Sequence, residues 1–341
     1  MDGPAERSAM FIVEQYPLAV ALCVITMLCW GSWANTQKLA STTWRFELFY
    51  WDYVLGVLVA ALALAFTLGS TGDAGRPFLA DLRQASPAAL GSAFLGGVVF
   101  NAANILLVAA IALAGMAVAF PVGIGLALVI GVVVNYAAQP AGRPVLLFLG
   151  VALVTAAIVL DALAYRRLPG RASQHAALGL GLSVVCGLLM GFFYRFVAAA
   201  MAPDFRAMEP GKVGPYTAMV LFAAGLATSN VVFNTILMRW PVSGAPLEPA
   251  AYLRGTARDH LWGVVGGMIW ALGMTLSIIA FGVAGPAIAY GLGQGATMVA
   301  AAWGVFVWKE FAAAPAGTSS LIAAMFVCFI AGLGLIIAAG A

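Results

Sequence analysis

Apolar residues run along this chain in unbroken blocks of about twenty, parted by short polar breaks. Ten blocks can be marked, at roughly 17–36, 47–68, 89–110, 112–134, 144–163, 176–199, 216–238, 259–281, 286–307 and 318–339. A helix needs about 20 apolar residues to cross the hydrocarbon of a bilayer. A barrel strand would instead show about ten residues of alternating character. Only helices and closed barrels satisfy every backbone group in lipid. The pattern predicts an all-α membrane protein with ten transmembrane helices.

Composition agrees. The 341 residues are 63% hydrophobic and 9% charged, where a soluble domain carries about 25% charged residues. No Asp, Glu, Lys or Arg occurs from Gln84 to Gly142, or from His260 to Trp308. The net charge of +3 is spread thinly over loops, which gives nucleic acid no basic patch. Cys23, Cys29, Cys186 and Cys328 all fall inside apolar blocks, so no disulfide framework is expected. Gly211-Lys212 has Arg206 where a phosphate loop needs its first glycine, so there is no ATP site.

The sharpest local feature is a phrase that occurs twice. Residues 114–125 read AGMAVAFPVGIG, and residues 284–295 read AGPAIAYGLGQG. The copies lie 170 positions apart and align without a gap. Gly97 and Gly267 keep the same spacing, and LCWGSW at 28–33 matches LLMGFF at 188–193 at a spacing of 160. The repeat unit is therefore about five helices. Five is odd, so the halves cross the bilayer in opposite senses, which is the 5+5 inverted repeat of secondary transporters. This divides the chain into an amino-terminal segment 1–16, a first half 17–165, a basic loop 166–175 and a second half 176–341. Pro121, Gly123 and Gly125 in the first copy, and Gly291, Gly293 and Gly295 in the second, are expected to weaken or closely pack the helix at the same place in each half.

Polar groups inside the blocks are the candidate site. An ionisable side chain at mid-membrane costs about 2.5–3.5 kcal/mol on insertion scales, so it tends to have a partner or a task. Asp52, in FELFYWDYV, is expected to carry a coupling proton. Arg195, in GFFYRFV, is expected to bind the solute or to pair with Asp52. Asn101 and Asn104 share one helix face, as do Asn230 and Asn234, and as do Tyr290 and Gln294. Amides both donate and accept, so such a lining suits a neutral solute with hydroxyls, amides or ring nitrogens. Trp30 and Trp33 offer flat apolar faces for a ring. The plainer alternative is that amides tie helices together and that the tryptophans belong to the interfacial belt. No metal site and no cofactor is expected. His175 and His260 are the only histidines, far apart and without a metal-binding spacing.

Ten helices in a five-plus-five repeat resemble the drug/metabolite transporter superfamily. More narrowly, MFIVEQYPLAVALCVITMLCWGSW, the WDY of the second block, GGVVFNAANILLVAAIALAGMAVAFPVGIGLALVIGVVVNY and the ending WGVFVWKEF are similar to its ureide permease branch and to its bacterial glucose/rhamnose uptake branch. The resemblance covers nearly the whole chain. It implies secondary, proton-coupled uptake of a small polar solute: allantoin, uracil and related compounds in the plant ureide permeases, monosaccharides in the bacterial proteins. The long central hydrophilic loop of the plant proteins is missing, RRLPGRASQH being short, which points to a compact permease of a bacterial inner membrane. The alternatives are a multidrug or metabolite exporter of the same superfamily and, remotely, an intramembrane enzyme or scaffold.

Overall fold

The computed structural model describes residues 9–41, 43–168 and 176–341. The first eight residues and most of the basic loop, with Arg171 and His175, lie outside these. The helices, in chain order, are α1 (Tyr16–Ser32), α2 (Asn35–Leu39), α3 (Phe46–Phe66), α4 (Phe78–Gln84), α5 (Pro87–Ala114), α6 (Met116–Ala138), α7 (Pro144–Tyr165), α8 (Ala176–Ala200), α9 (Pro215–Arg239), α10 (Ala257–Ala284), α11 (Pro286–Gly293), α12 (Ala296–Ala302) and α13 (Thr318–Gly340). Among the described residues there is no strand, only two isolated backbone bridges.

Among the described residues, eight helices are long and apolar enough to cross a membrane: α3, α5, α6, α7, α8, α9, α10 and α13. α1 is apolar but has 17 residues. The block 286–307, expected as one span, is broken. It runs as α11, a turn at Gln294–Gly295, α12 and a π-helical turn over Trp303–Val307. Three glycines within five residues leave it short of helix propensity, each costing about 1 kcal/mol relative to alanine. The first copy of the phrase behaves differently. α6 continues straight through Pro121, which lies near the helix start and forfeits only one hydrogen bond to the first turn.

Helix starts are specified locally. Ser86 accepts a hydrogen bond from the Ala89 amide at 3.2 Å, and Pro87 opens α5. Thr256 and Asp259 form a reciprocal capping box on α10. These two 28-residue helices end alike. Gly115 has φ 77° and ψ 163°, and Gly285 has φ 77° and ψ 160°. Side chains rarely tolerate that conformation, so the shared glycine makes the same turn at both copies of the phrase.

The helices pack in matching pairs. α3 lies against α10, and α5 lies against α9. In the first pair, a methyl added at Gly56 would overlap the Val264 carbonyl, and one at Gly267 the Tyr53 carbonyl. In the second, Gly225 meets the Phe94 carbonyl and Gly97 the Phe222 carbonyl in the same way. α1 flanks α10, and α8 flanks α5. α7 pairs with α13 at the periphery.

The two copies of the phrase are not packed equally. α11 is buried along its whole length, and a methyl on Gly285 would lie 2.5 Å from the Ala141 side chain. Among the described residues, a methyl on Gly115 would meet nothing within 4 Å, and Pro121, Val122 and Ile124 are half-buried. Among the described residues the bundle is tight at the α10–α11 turn and looser at the α5–α6 turn.

Gly97→Val and Gly267→Val are each expected to lower stability by about 1–3 kcal/mol or more, because a rigid backbone carbonyl faces each glycine. Gly334→Ala, which meets no neighbour within 4 Å, should leave it unchanged. Thermal unfolding of the detergent-purified protein checks both.

Candidate functional site

A cavity of about 170 Å³ sits between the two helix sets. Its walls come from α1 and the residue that caps it (Trp30, Trp33), α5 (Phe100, Asn104), α8 (Met190, Phe193), α10 (Trp270) and the broken segment (Gln294, Thr297). Trp30 stacks on Trp270, with ring centroids 5.8 Å apart and an interplanar angle of 11°. Its indole donates to the Trp270 carbonyl at 3.3 Å. Phe100 packs on Trp270 at 4.5 Å and on Phe193 at 5.2 Å. These rings close the end of the cavity nearer the α10–α11 turn. Tyr290 and Tyr194 stand behind them.

The polar groups facing the cavity are few. Asn104 donates to the Tyr50 hydroxyl at 3.1 Å, and that hydroxyl donates to Asn101 Oδ1 at 3.0 Å. Among the described residues, Asn104 Oδ1 and the whole side-chain amide of Gln294 have no protein hydrogen-bond partner. Thr297 donates to the Gln294 carbonyl at 2.9 Å and keeps its lone pairs free. Gln294 presents its amide because the helix breaks there. The turn between α11 and α12 leaves it at the cavity instead of inside a helix stack.

Of the residues expected at the site, Trp30, Trp33, Asn104 and Gln294 line this cavity. The others do not. Asn101 is fully buried and donates to Ser229 Oγ at 2.8 Å, tying α5 to α9. Asn234 is buried too and donates to the Glu47 carbonyl at 2.8 Å, tying α9 to α3. Asn230 is buried in the same helix and has no partner among the described residues. Tyr290 donates to the carbonyls of Ala127 and Met190, at 3.1 and 3.2 Å, and so locks α11 onto α6 and α8. Arg195 is half-buried and absent from the lining. Phe193 and Tyr194 point inward on α8, and successive helical positions turn by about 100°, which carries Arg195 away from the centre.

Asp52 does not pair with Arg195. It accepts hydrogen bonds from Tyr252 and from His260, whose Nδ1 lies 3.0 Å from both carboxylate oxygens. Tyr252 is on a short 3₁₀ helix, Pro249–Arg254. Burial and then the adjoining Asp52 push its phenol above the ordinary range, so it stays a donor. Trp44 packs edge-on against His260 at 5.0 Å. Asp52 and His260 stand 208 residues apart, and no local pattern could have joined them. Tyr50 carries no separate signal in the sequence, since it stands among Phe46, Phe49, Trp51 and Tyr53 in FELFYWDYV.

A larger cavity, about 640 Å³, lies elsewhere. It opens on the outer surface between α3 and α9, beside the exposed Leu55, and touches neither copy of the repeated phrase.

A family model described as ureide permease matches residues 49–169 and 163–339. This chain belongs to the ureide permease family. Ureide permease 1 of Arabidopsis thaliana is 23% identical over 385 aligned positions, which cover 96% of this chain and 98% of that protein. Ureide permease 2 is 23% identical over 393 positions, with 96% and 98% covered, and ureide permease 5 is 22% identical over 409, with 98% and 97%. These alignments are longer than the 341 residues here, so the plant proteins carry insertions. A solved crystal structure superposes on 94% of this permease and 96% of its own chain, with a TM-score of 0.60 at 17% identity, which shows a shared fold. The protein is thus a multi-pass membrane transporter of small polar solutes and not an enzyme. The relatives are plant proteins and give the bacterial inner membrane no support.

Tyr50→Phe leaves Asn101 Oδ1 buried without its donor. It should cost about 1–3 kcal/mol of stability, read as a lower midpoint of thermal unfolding, while Asn230→Ala should cost less because its amide makes no hydrogen bond to lose.

Proposed function

We propose that this permease takes up a small, neutral, ureide- or nucleobase-like solute by alternating access between two inverted five-helix halves, ten crossings in all, coupled to protons. The observation that carries the proposal is the central cavity, where a stacked Trp30–Trp270 wall faces the unpartnered Gln294 amide and Asn104 Oδ1. A planar solute with alternating N–H and C=O groups would lie on the indoles and exchange hydrogen bonds with both amides. The inverted repeat is supported by the matched glycine–carbonyl contacts and by the identical turns at Gly115 and Gly285. α1 and the broken segment 286–307 supply the ninth and tenth crossings.

The cavity's size favours this solute over a multidrug substrate. At about 170 Å³ it falls below the roughly 300–1,000 Å³ of drug-sized pockets. A monosaccharide is the second reading, favoured by the aromatic wall, since sugars also stack on indoles.

For proton coupling, the buried Asp52 with His260 is the proposed carrier. Tyr252 and His260 touch it, and Asp259 is the nearby like charge. A carboxylate held by an imidazole and a phenol on a loop can exchange one proton as those contacts break and form.

Uptake of labelled allantoin, uracil, rhamnose and glucose into cells lacking their own carriers tests the class. Protonophore-sensitive accumulation of allantoin or uracil is expected, and accumulation of none would refute it. Gln294→Ala should raise KM about tenfold, the worth of one hydrogen bond of about 1.4 kcal/mol. In Asp52→Asn the protonophore should no longer change uptake; undiminished sensitivity would remove Asp52 as the carrier.

A further inference from the structure

A second cavity of about 130 Å³ adjoins the central one. The two share a wall made by Gly31, Ala34, Thr297 and Ala300. Where the central cavity is aromatic, this one is polar and charged. Lys38, Asp161, Tyr165 and Glu310 line its far side.

These side chains come from distant parts of the chain and are linked. Lys38 Nζ, on α2, lies 2.9 Å from Glu310 Oε1. The Tyr165 hydroxyl, at the end of α7, donates to Glu310 Oε2 at 2.7 Å. Lys38 also rests 4.7 Å over the Trp308 ring, and the Trp308 indole donates to Asn35 Oδ1 at 2.6 Å. Among the described residues, the Asp161 carboxylate has no hydrogen-bond partner. Burial works against ionisation of Glu310, but the hydrogen bonds from Tyr165 and Lys38 and the Lys38 charge hold its carboxyl below the ordinary range. The link is therefore ionic at neutral pH.

The backbone is bent to deliver Glu310 here. The π-helical turn Trp303–Val307 precedes it, and such turns recur at functional sites. Lys309 has φ 53°, the one positive φ outside glycine among the described residues. That conformation is uncommon for a residue with a Cβ. The Glu310 amide then donates back to the Gly304 carbonyl at 2.9 Å. A mere surface ion pair would need none of this, and it would not line a cavity that shares a wall with the central one.

We propose that this second cavity is an antechamber, in which a solute bearing an amide or urea group binds before it reaches the central cavity, with the Lys38–Glu310 pair as its latch. The solute's carbonyl takes the place of Glu310 on Lys38. Its N–H groups donate to Glu310 and to the unpartnered Asp161. The latch joins the first half of the chain to the second, so breaking it loosens the hold of α2 on the segment that follows the break, leaving the Trp308–Asn35 hydrogen bond as the remaining tie. The exposure of Lys38, with 48% of its side chain accessible, keeps the pair weak enough to exchange; exposed pairs are worth about 0.2–1 kcal/mol. The proposal rests on the transport reading of the central cavity, and its test is separate from transport.

The test is alkylation of Ala300→Cys, in the shared wall, in the full-length purified protein with Cys29 and Cys328 changed to serine. Lys38→Met and Glu310→Gln are each added to that background and checked for folding by gel-filtration profile. Each should speed labelling by a small maleimide about 2–5-fold, the population shift that loss of a pair worth up to about 1 kcal/mol allows. Allantoin should slow labelling in the parent and less in the variants. Thr297→Cys gives a second reporter should Ala300→Cys fold poorly. Equal labelling rates in all backgrounds, at either reporter, would overturn the antechamber. A faster rate in the variants with no effect of allantoin would support the latch and refute the amide- or urea-bearing solute. Loss of uptake with the labelling response intact would count against the proposed function and in favour of the latch.

Discussion

Four contacts between glycine and carbonyl hold this molecule together. α3 crosses α10, and α5 crosses α9, so closely that no side chain fits at Gly56, Gly267, Gly97 or Gly225. In lipid there is no hydrophobic gain from bringing two apolar helices together. What remains is dispersion between well-fitted surfaces, and that grows steeply as backbones approach. Small residues at these crossings therefore contribute more than any larger apolar residue could. The two crossings are copies of one another, and they make the rigid frame on which α1, α8 and the glycine-rich segments are hung.

The frame is symmetric, but its attachments are not. The same glycine turn is made at residues 115 and 285. At the second, α11 is buried and Tyr290 ties it to α6 and α8. At the first, Gly115 has open space where a side chain would go, among the described residues, and Pro121, Val122 and Ile124 are half-buried. Alternating access would require the two halves to exchange these packings. The central cavity lies on the loose side of the aromatic cluster Phe100, Phe193 and Trp270. That is where a site must lie if it is reached from one end and sealed at the other.

Much of this was legible in the sequence, and what was not has a physical reason. Apolar blocks report membrane helices directly because lipid forbids alternatives. The 170-residue spacing picks out Gly97 and Gly267, and each meets a carbonyl of the helix it crosses because so close a backbone approach tolerates only glycine. Trp30, Trp33, Asn104 and Gln294 were recognisable as lining because polar or indole groups stand out in apolar blocks. The same signal misled at Asn101, Asn234 and Tyr290, whose polar atoms serve other helices; a sequence does not say to whom an amide is bonded. Arg195 failed for a related reason, since helical phase one residue away from Tyr194 decides which way it faces. Pro121 was expected to loosen α6, but its place near the helix start blunts its effect. Asp52 with His260, and Lys38 with Glu310, join residues 208 and 272 positions apart, which only the fold brings together.

The central claim is that the two ends of the bundle open in turn. Spin labels at exposed positions on each end measure it directly: Ala112 with Ala312 at the loose end, and Ala138 with Asp204 at the tight end. On saturation with the transported solute, the first distance should shorten and the second should lengthen by a similar amount. Two distances that shorten together, or that both stay fixed, would contradict the account.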